Sequence, residues 1–182
     1  SAENMQDAFK SLGLLILLSV ILVYIVMASQ FESLTEPFII MFSIPFAFTG
    51  VFIGLVISNS TINVISLIGA VMLIGIVVKN GIILVDYTNL MVDRGYSLKK
   101  AVVMAGRSRL RPVLMTSLTM ILAMIPMIVS SGSGAEMWRP MAIAIFGGLI
   151  FSTLITLVLI PAIYTIFGVG KIKKECKQLQ NV

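Results

Sequence analysis

The chain has 182 residues, of which 58% are hydrophobic and 12% charged, and its mean hydropathy is +1.07. Those values exclude an ordinary soluble domain and define a membrane protein. The net charge of +5 rests on Lys and Arg clustered beside apolar runs, a pattern that excludes a nucleic-acid-binding surface, where bases interleave with aromatics. With no histidine and only Cys176, the chain has no imidazole for metal binding or acid–base work and no internal disulfide framework.

A helix needs about 20 mostly apolar residues to cross the hydrocarbon core, and five such runs occur in chain order. The fold expected is therefore an all-α, polytopic membrane helix bundle. Residues 1–11 are an outward-side lead-in, and the first span covers about 12–28 within a helix that starts near Asn4. A polar turn from Gln30 to Glu36 follows, with Pro37 opening the second span over about 38–57, which Pro45 kinks. Asn59-Ser60-Thr61 ends it. The third span runs over about 64–85 and continues as a polar helical end through Asp86 to Arg94. An amphipathic surface helix is expected at about 97–107, followed by the fourth span at about 112–129 and the fifth at about 141–167. Together these make a transmembrane bundle over residues 12–168, and residues 169–182 form a basic tail. The chain begins Ser-Ala without a cleavable signal, so it reads as a segment of a longer protein.

The distribution of bases orients the bundle. Arg94, Lys99, Lys100, Arg107, Arg109 and Arg111 lie between spans three and four, and Lys171, Lys173, Lys174 and Lys177 follow span five. Lys10 and Arg139 fall on the other side. The positive-inside rule then places the amino terminus outside and the carboxyl terminus in the cytoplasm.

Lys79 belongs to neither flank. It lies about two-thirds of the way along span three, beside Asn80 and one turn after Gly75. An ionisable group at that depth costs at least about 2.5 to 3.5 kcal/mol and normally faces protein or water. The plainer alternative is that its long stem snorkels to the interface. Asp86 shares its helix face, but seven residues span about 10 Å, too far for a direct ion pair. With no other Asp or Glu expected inside a span, the partner acid must come from another segment or chain. Arg109 and Thr116 are also seven residues apart and face one way. Each has a bland reading, the arginine as an interface anchor and the threonine as bonded to its own helix. With Lys79 they define a candidate polar cluster, which Asn80 and Asp86 could support.

Gly50 and Gly54 form Gly-x-x-x-Gly on span two, and Gly69, Gly75, Gly147 and Gly148 offer further smooth faces, so helix packing is the expected role. The methionines Met115, Met120, Met124 and Met127 have no companion Cys or His, and they read as packing or lipid-facing groups. No metal site and no enzymatic activity are expected.

Several motifs, taken in order, carry a resemblance over nearly the whole chain: Ala28-Ser29-Gln30-Phe31-Glu32-Ser33 with Pro37, Asn63-Val64-Ile65-Ser66-Leu67-Ile68-Gly69, Gly75-Ile76-Val77-Val78-Lys79-Asn80-Gly81-Ile82, Arg107-Ser108-Arg109-Leu110-Arg111-Pro112 and Met115-Thr116-Ser117. Gly134-Ala135-Glu136-Met137 and the stretch from Val158 to Tyr164 also fit. The sequence resembles the carboxyl-terminal transmembrane half of the resistance-nodulation-cell division (RND) exporters, in the acriflavine-resistance-type branch that exports hydrophobes and amphiphiles. The resemblance implies that the spans correspond to the last five of a twelve-helix subunit. It also implies a proton relay whose lysine, arginine and threonine fall on Lys79, Arg109 and Thr116, with an essential aspartate pair on a helix that precedes this segment. The implied energy source is the proton-motive force without any bound cofactor. The implied setting is a bacterial inner membrane, with the rest of the subunit, a homotrimer and, in a Gram-negative host, a periplasmic adaptor and outer-membrane channel as partners. Two other readings remain open on the residues alone. One is a membrane interaction or assembly module built on the glycine faces. The other is a small transporter completed by oligomerisation, with Asp86 of one copy reaching Lys79 of another.

Overall fold

The computed structural model describes the backbone of residues 2–132 and 134–179 and the side chains of residues 6–132 and 134–166. Six helices follow in order: α1 (Ala2–Phe31), α2 (Thr35–Met41), α3 (Ile44–Ile57), α4 (Val64–Asp93), α5 (Leu98–Val129) and α6 (Ala135–Leu179), with no strand among the described residues. Five segments are long and apolar enough to span a bilayer: Gln6–Phe31, Thr35–Ile57, Val64–Asp93, Leu98–Val129 and Ala135–Ile166. The expected all-α membrane bundle is thus the observed architecture.

The second crossing is built from two helices. Proline lacks an N–H and its ring clashes with the preceding turn, so a helix readily restarts at such a residue. Here the chain breaks at Phe42-Ser43, and Pro45 sits in the opening turn of α3. The Ser43 hydroxyl donates to the Ile40 carbonyl at 2.6 Å, and the Ser43 backbone N–H donates to the same oxygen at 3.0 Å. At the start of the third crossing Asn63 and Ser66 form a reciprocal capping box. The Ser66 N–H donates to Asn63 Oδ1 at 2.8 Å and the Asn63 N–H to Ser66 Oγ at 3.0 Å. Gly95, with φ of +87°, ends that crossing in a left-handed conformation that a side chain would strain.

Three boundaries differ from those expected. Residues 97–107 are no separate surface helix but the first turns of α5, because nothing between Leu98 and Arg111 breaks a helix and Pro112 is carried within it. Helix α1 begins at Ala2, within two residues of Asn4, whereas α6 continues to Leu179 through most of the basic tail. Glu36, expected in a polar turn outside the span, lies in the first turn of α2 and is buried.

Two apolar clusters form the core. One, at the end carrying the 32–34 and 94–97 connections, joins Met27, Ile39, Ile40, Val78, Val85 and Ile160 across α1, α2, α4 and α6. The other, toward the opposite end, joins Ala47, Val51, Leu73, Ala144 and Leu149 across α3, α4 and α6. Helices α4 and α6 run through both clusters, while α1 and α5 leave most of their apolar side chains uncovered.

The tightest packing is between α3 and α6. A Cβ on Gly147 would come within 2.8 Å of the Gly50 carbonyl oxygen and 2.9 Å of Gly54 Cα, and one on Gly50 within 2.5 Å of Phe151 Cβ. Gly148 faces Leu73 and Val51 with as little room. In lipid, helices gain little from apolar burial alone, so such backbone-to-backbone approach is a main source of association. Gly75 differs from these: a Cβ placed on it would meet no atom within 4 Å, so it packs against nothing in this bundle.

Candidate functional site

Helices α4 and α5 are neighbours that run in opposite directions, and two contacts fix their register. The Asn80 amide donates to Ser117 Oγ at 3.4 Å, and the Arg109 guanidinium carbon stands 4.6 Å from the centroid of the Tyr87 ring. The seven-residue step on α4 thus matches an eight-residue step back along α5. Lys79 is therefore level with the stretch from Thr116 to Leu118.

Rotation of about 100° per residue has opposite senses on antiparallel helices when both are viewed from one end. With Asn80 and Ser117 turned toward each other, the residues just before them, Lys79 and Thr116, face the same side of the helix pair. Asp86 and Arg109 return to that side one or two turns away. Lys79, Asp86 and Thr116 are exposed and Arg109 is half-buried, so the four residues line one open polar side. Gly75 and the exposed Met72 and Ile68 extend that side along α4.

Within it the individual groups are differently engaged. Lys79 forms no ion pair among the described residues. Asp86 lies about 10 Å from it along the helix axis, as two turns require. The guanidinium of Arg109 rests on Tyr87, a favourable cation–π geometry, while its buried Nε has no hydrogen-bond partner among the described residues. Thr116 donates to the Val113 carbonyl at 3.0 Å, the bond within its own helix that an intramembrane threonine commonly makes. The structure thus brings the four onto one side without joining them directly.

Behind that side lies a buried polar seam that sequence reasoning found only in part. Ser117 accepts from Asn80 and also from the Thr153 hydroxyl at 3.2 Å, tying α4, α5 and α6 together at mid-span. Asn80, Ser117 and Thr153 are all buried. Buried amides and hydroxyls in lipid need such partners, since no water is there to replace them. The available signal was Ser117 next to Thr116 and Asn80 next to Lys79, but pairing them required the register. Tyr87 was likewise unmarked in sequence, where it reads as one more aromatic near a helix end.

A cavity of ≈ 380 Å³ lies elsewhere, against the α3–α6 glycine crossing and bordered by Ile53, Ile125, Ile143 and Phe151. Its lining is almost wholly apolar and offers nothing to bind or move a proton.

The fold and this open ionisable side define a class: a multi-pass α-helical membrane protein with polar groups held inside the bilayer region. Comparison with known proteins narrows it. Residues 1–168 match the AcrB/AcrD/AcrF family. The chain is 38% identical over 174 residues to the swarming motility protein SwrC of Bacillus subtilis, an alignment covering 95% of this chain and 16% of that protein. It is 39% identical over 168 residues to the multidrug resistance protein MdtC of Proteus mirabilis, covering 92% of this chain and 16% of the relative. It is also 32% identical over 162 residues to the cobalt-zinc-cadmium resistance protein CzcA of Cupriavidus metallidurans, covering 89% and 15%. A crystal structure of a heavy metal efflux pump superposes with a TM-score of 0.84 at 34% identity, over 92% of this chain and 17% of that one. The chain belongs to the AcrB/AcrD/AcrF family, within the RND superfamily. It spans about one-sixth of the length of the relatives it matches.

Proposed function

We propose that this chain forms the half of a proton-translocating membrane domain that carries the cationic side of the relay. Lys79 is the group that exchanges partners, and the remainder of the subunit supplies an aspartate-bearing helix to it. The observation that carries this reading is Lys79 standing exposed on a helix face at membrane depth, level with Thr116 and on the same side as Arg109. A bare ammonium facing hydrocarbon is costly, so that side is built to meet protein or water.

In the cycle proposed, a carboxylate opposite Lys79 is ion-paired in one state. Protonation of that carboxylate from the outward side removes its charge, frees the ammonium and lets α4 shift; loss of the proton to the cytoplasm restores the pair. Arg109, held over Tyr87, keeps a fixed positive charge at the cytoplasmic end of the same side. Thr116 offers a hydroxyl at the level of Lys79. The chain makes and breaks no covalent bond and uses no cofactor, since the proton-motive force supplies the energy. The basic connection between α4 and α5 supports an outward amino terminus and a cytoplasmic carboxyl terminus in a bacterial inner membrane. A homotrimer, with an adaptor and outer channel where an outer membrane exists, fits membership of the family.

The cargo proposed is amphiphilic, in keeping with 39% identity to a multidrug resistance protein against 32% to a metal resistance protein. The test uses the full-length pump with Lys79→Ala, at matched membrane levels, and follows both an amphiphilic dye and Co, Zn and Cd ions. Dye export that falls at least tenfold or so supports the relay and the cargo together. Undiminished proton-dependent export overturns the role of Lys79, and export confined to the metal ions overturns the cargo.

A further inference from the structure

The end of the bundle near the 94–97 connection holds a second polar network, two buried side chains about a half-buried Asn89, that the relay does not use. Glu36 of α2 is 7% exposed and is the only buried Asp or Glu among the described residues. Asn89 of α4 donates its amide N–H to Glu36 Oε2 at 2.8 Å, and the Tyr164 hydroxyl of α6 donates to Asn89 Oδ1. Tyr164 is itself buried, at 9% exposed. Asn89 thus uses both ends of its amide, one toward α2 and one toward α6.

The place of this network on α4 gives it a role. Taking the Lys79 direction as reference, Asn80 lies about 100° to one side and Asn89 about 80° to the other. Asn80 bonds α5 and, through Ser117, α6; Asn89 bonds α2 and α6. The open Lys79 side is therefore flanked by two polar clamps on opposite flanks of the same helix. Close packing at Gly69 and Gly81 and between Leu73 and Gly148 seats α4 on its neighbours. Directed hydrogen bonds on both flanks add a preferred rotation and height.

We infer that Glu36, Asn89 and Tyr164 are positioning residues: a hydrogen-bonded joint that sets the rotation and height of α4 and so the presentation of Lys79. The inference rests on the reading of α4 as the helix that carries the relay. What the joint requires at position 36 is an acceptor for the Asn89 amide. Glutamine keeps such an acceptor and alanine does not. The two substitutions therefore separate a hydrogen-bonded joint from a role for the carboxylate charge.

The experiment measures proton-dependent export by the full-length pump, with substrate KM, maximal rate and external-pH profile, at matched membrane levels. Glu36→Ala is expected to lower the maximal rate roughly five- to tenfold with KM unchanged, and to move the pH profile. Glu36→Gln is expected to retain wild-type rate and profile. Tyr164→Phe removes one hydroxyl and tests the same joint if Glu36→Ala is lost from the membrane. It lowers the rate in the wild-type background and adds nothing to Glu36→Ala, since both act through Asn89. Equal loss in Glu36→Gln and Glu36→Ala overturns the joint in favour of a charge role, and wild-type behaviour of Glu36→Ala or additive effects with Tyr164→Phe overturn it outright. Lys79→Ala, assayed alongside, reports separately on the relay. If it exports normally while Glu36→Ala does not, the relay reading fails and the joint's effect is on another step.

Discussion

The α3–α6 crossing and the open side of the α4–α5 pair are built from similar materials to opposite ends. Both place small or polar residues at one-turn spacing on long apolar helices. At the first, glycines bring two backbones so close that a single Cβ on Gly147 would meet Gly54 Cα at 2.9 Å. At the second, Gly75 has empty space around it and Lys79, Asp86 and Thr116 are exposed. The difference teaches that glycine spacing alone does not identify a contact in this bundle. A glycine at the crossing is closed by its partner, whereas Gly75, beside an exposed lysine, is met by nothing among the described residues.

Substitutions can break or sharpen that contrast. The largest effect is expected at Lys79→Ala, which removes at least about tenfold of export by the full-length pump while leaving thermal stability of the detergent-solubilised protein within about 0.5 kcal/mol of wild type. A matching loss of stability would make Lys79 a packing residue and erase the contrast. Next, Gly147→Ala is expected to destabilise the bundle by about 1–3 kcal/mol, because the new methyl meets backbone atoms of Gly50 and Gly54 that cannot turn aside. A chemical-denaturation series on the purified protein measures it. Ser117→Ala leaves the buried Asn80 amide and Thr153 hydroxyl without their common acceptor, and a loss of about 0.6–2 kcal/mol is expected by the same measurement. The smallest change is predicted for Gly75→Ala in the isolated chain, within about 0.5 kcal/mol, since the added carbon meets nothing. In the full-length pump the same methyl would lie where the proposed aspartate-bearing helix approaches, so a much larger effect there would sharpen the distinction.

Much of this architecture could be read from the residues. Five crossings follow from runs of apolar side chains that only a bilayer accommodates, and α4 from Val64 through its polar end was visible as one helix. Polarity misled where a polar residue has a buried partner. Glu36 looked like part of a turn because a bond that holds it inside the bundle comes from Asn89, 53 positions away. The 97–107 segment looked like a surface helix because its charges end an apolar run, yet charge does not stop a helix. For the site, Lys79, Arg109 and Thr116 stood out as costly or patterned groups, and the structure sets them on one side of two helices. Their relation to Ser117, Thr153 and Tyr87 depends on the register between α4, α5 and α6, which no local pattern records.

The break at Phe42-Ser43 divides the second crossing between two owners. Above it, α3 is bound to α6 by the glycine crossing; below it, α2 is held through Glu36 to Asn89 on α4. Phe42 and Ser43 keep right-handed helical backbone angles, so the interruption is a bend within one crossing rather than a gap. One crossing thereby takes different partners at its two ends, a close backbone contact toward one face of the membrane and a directed hydrogen bond toward the other.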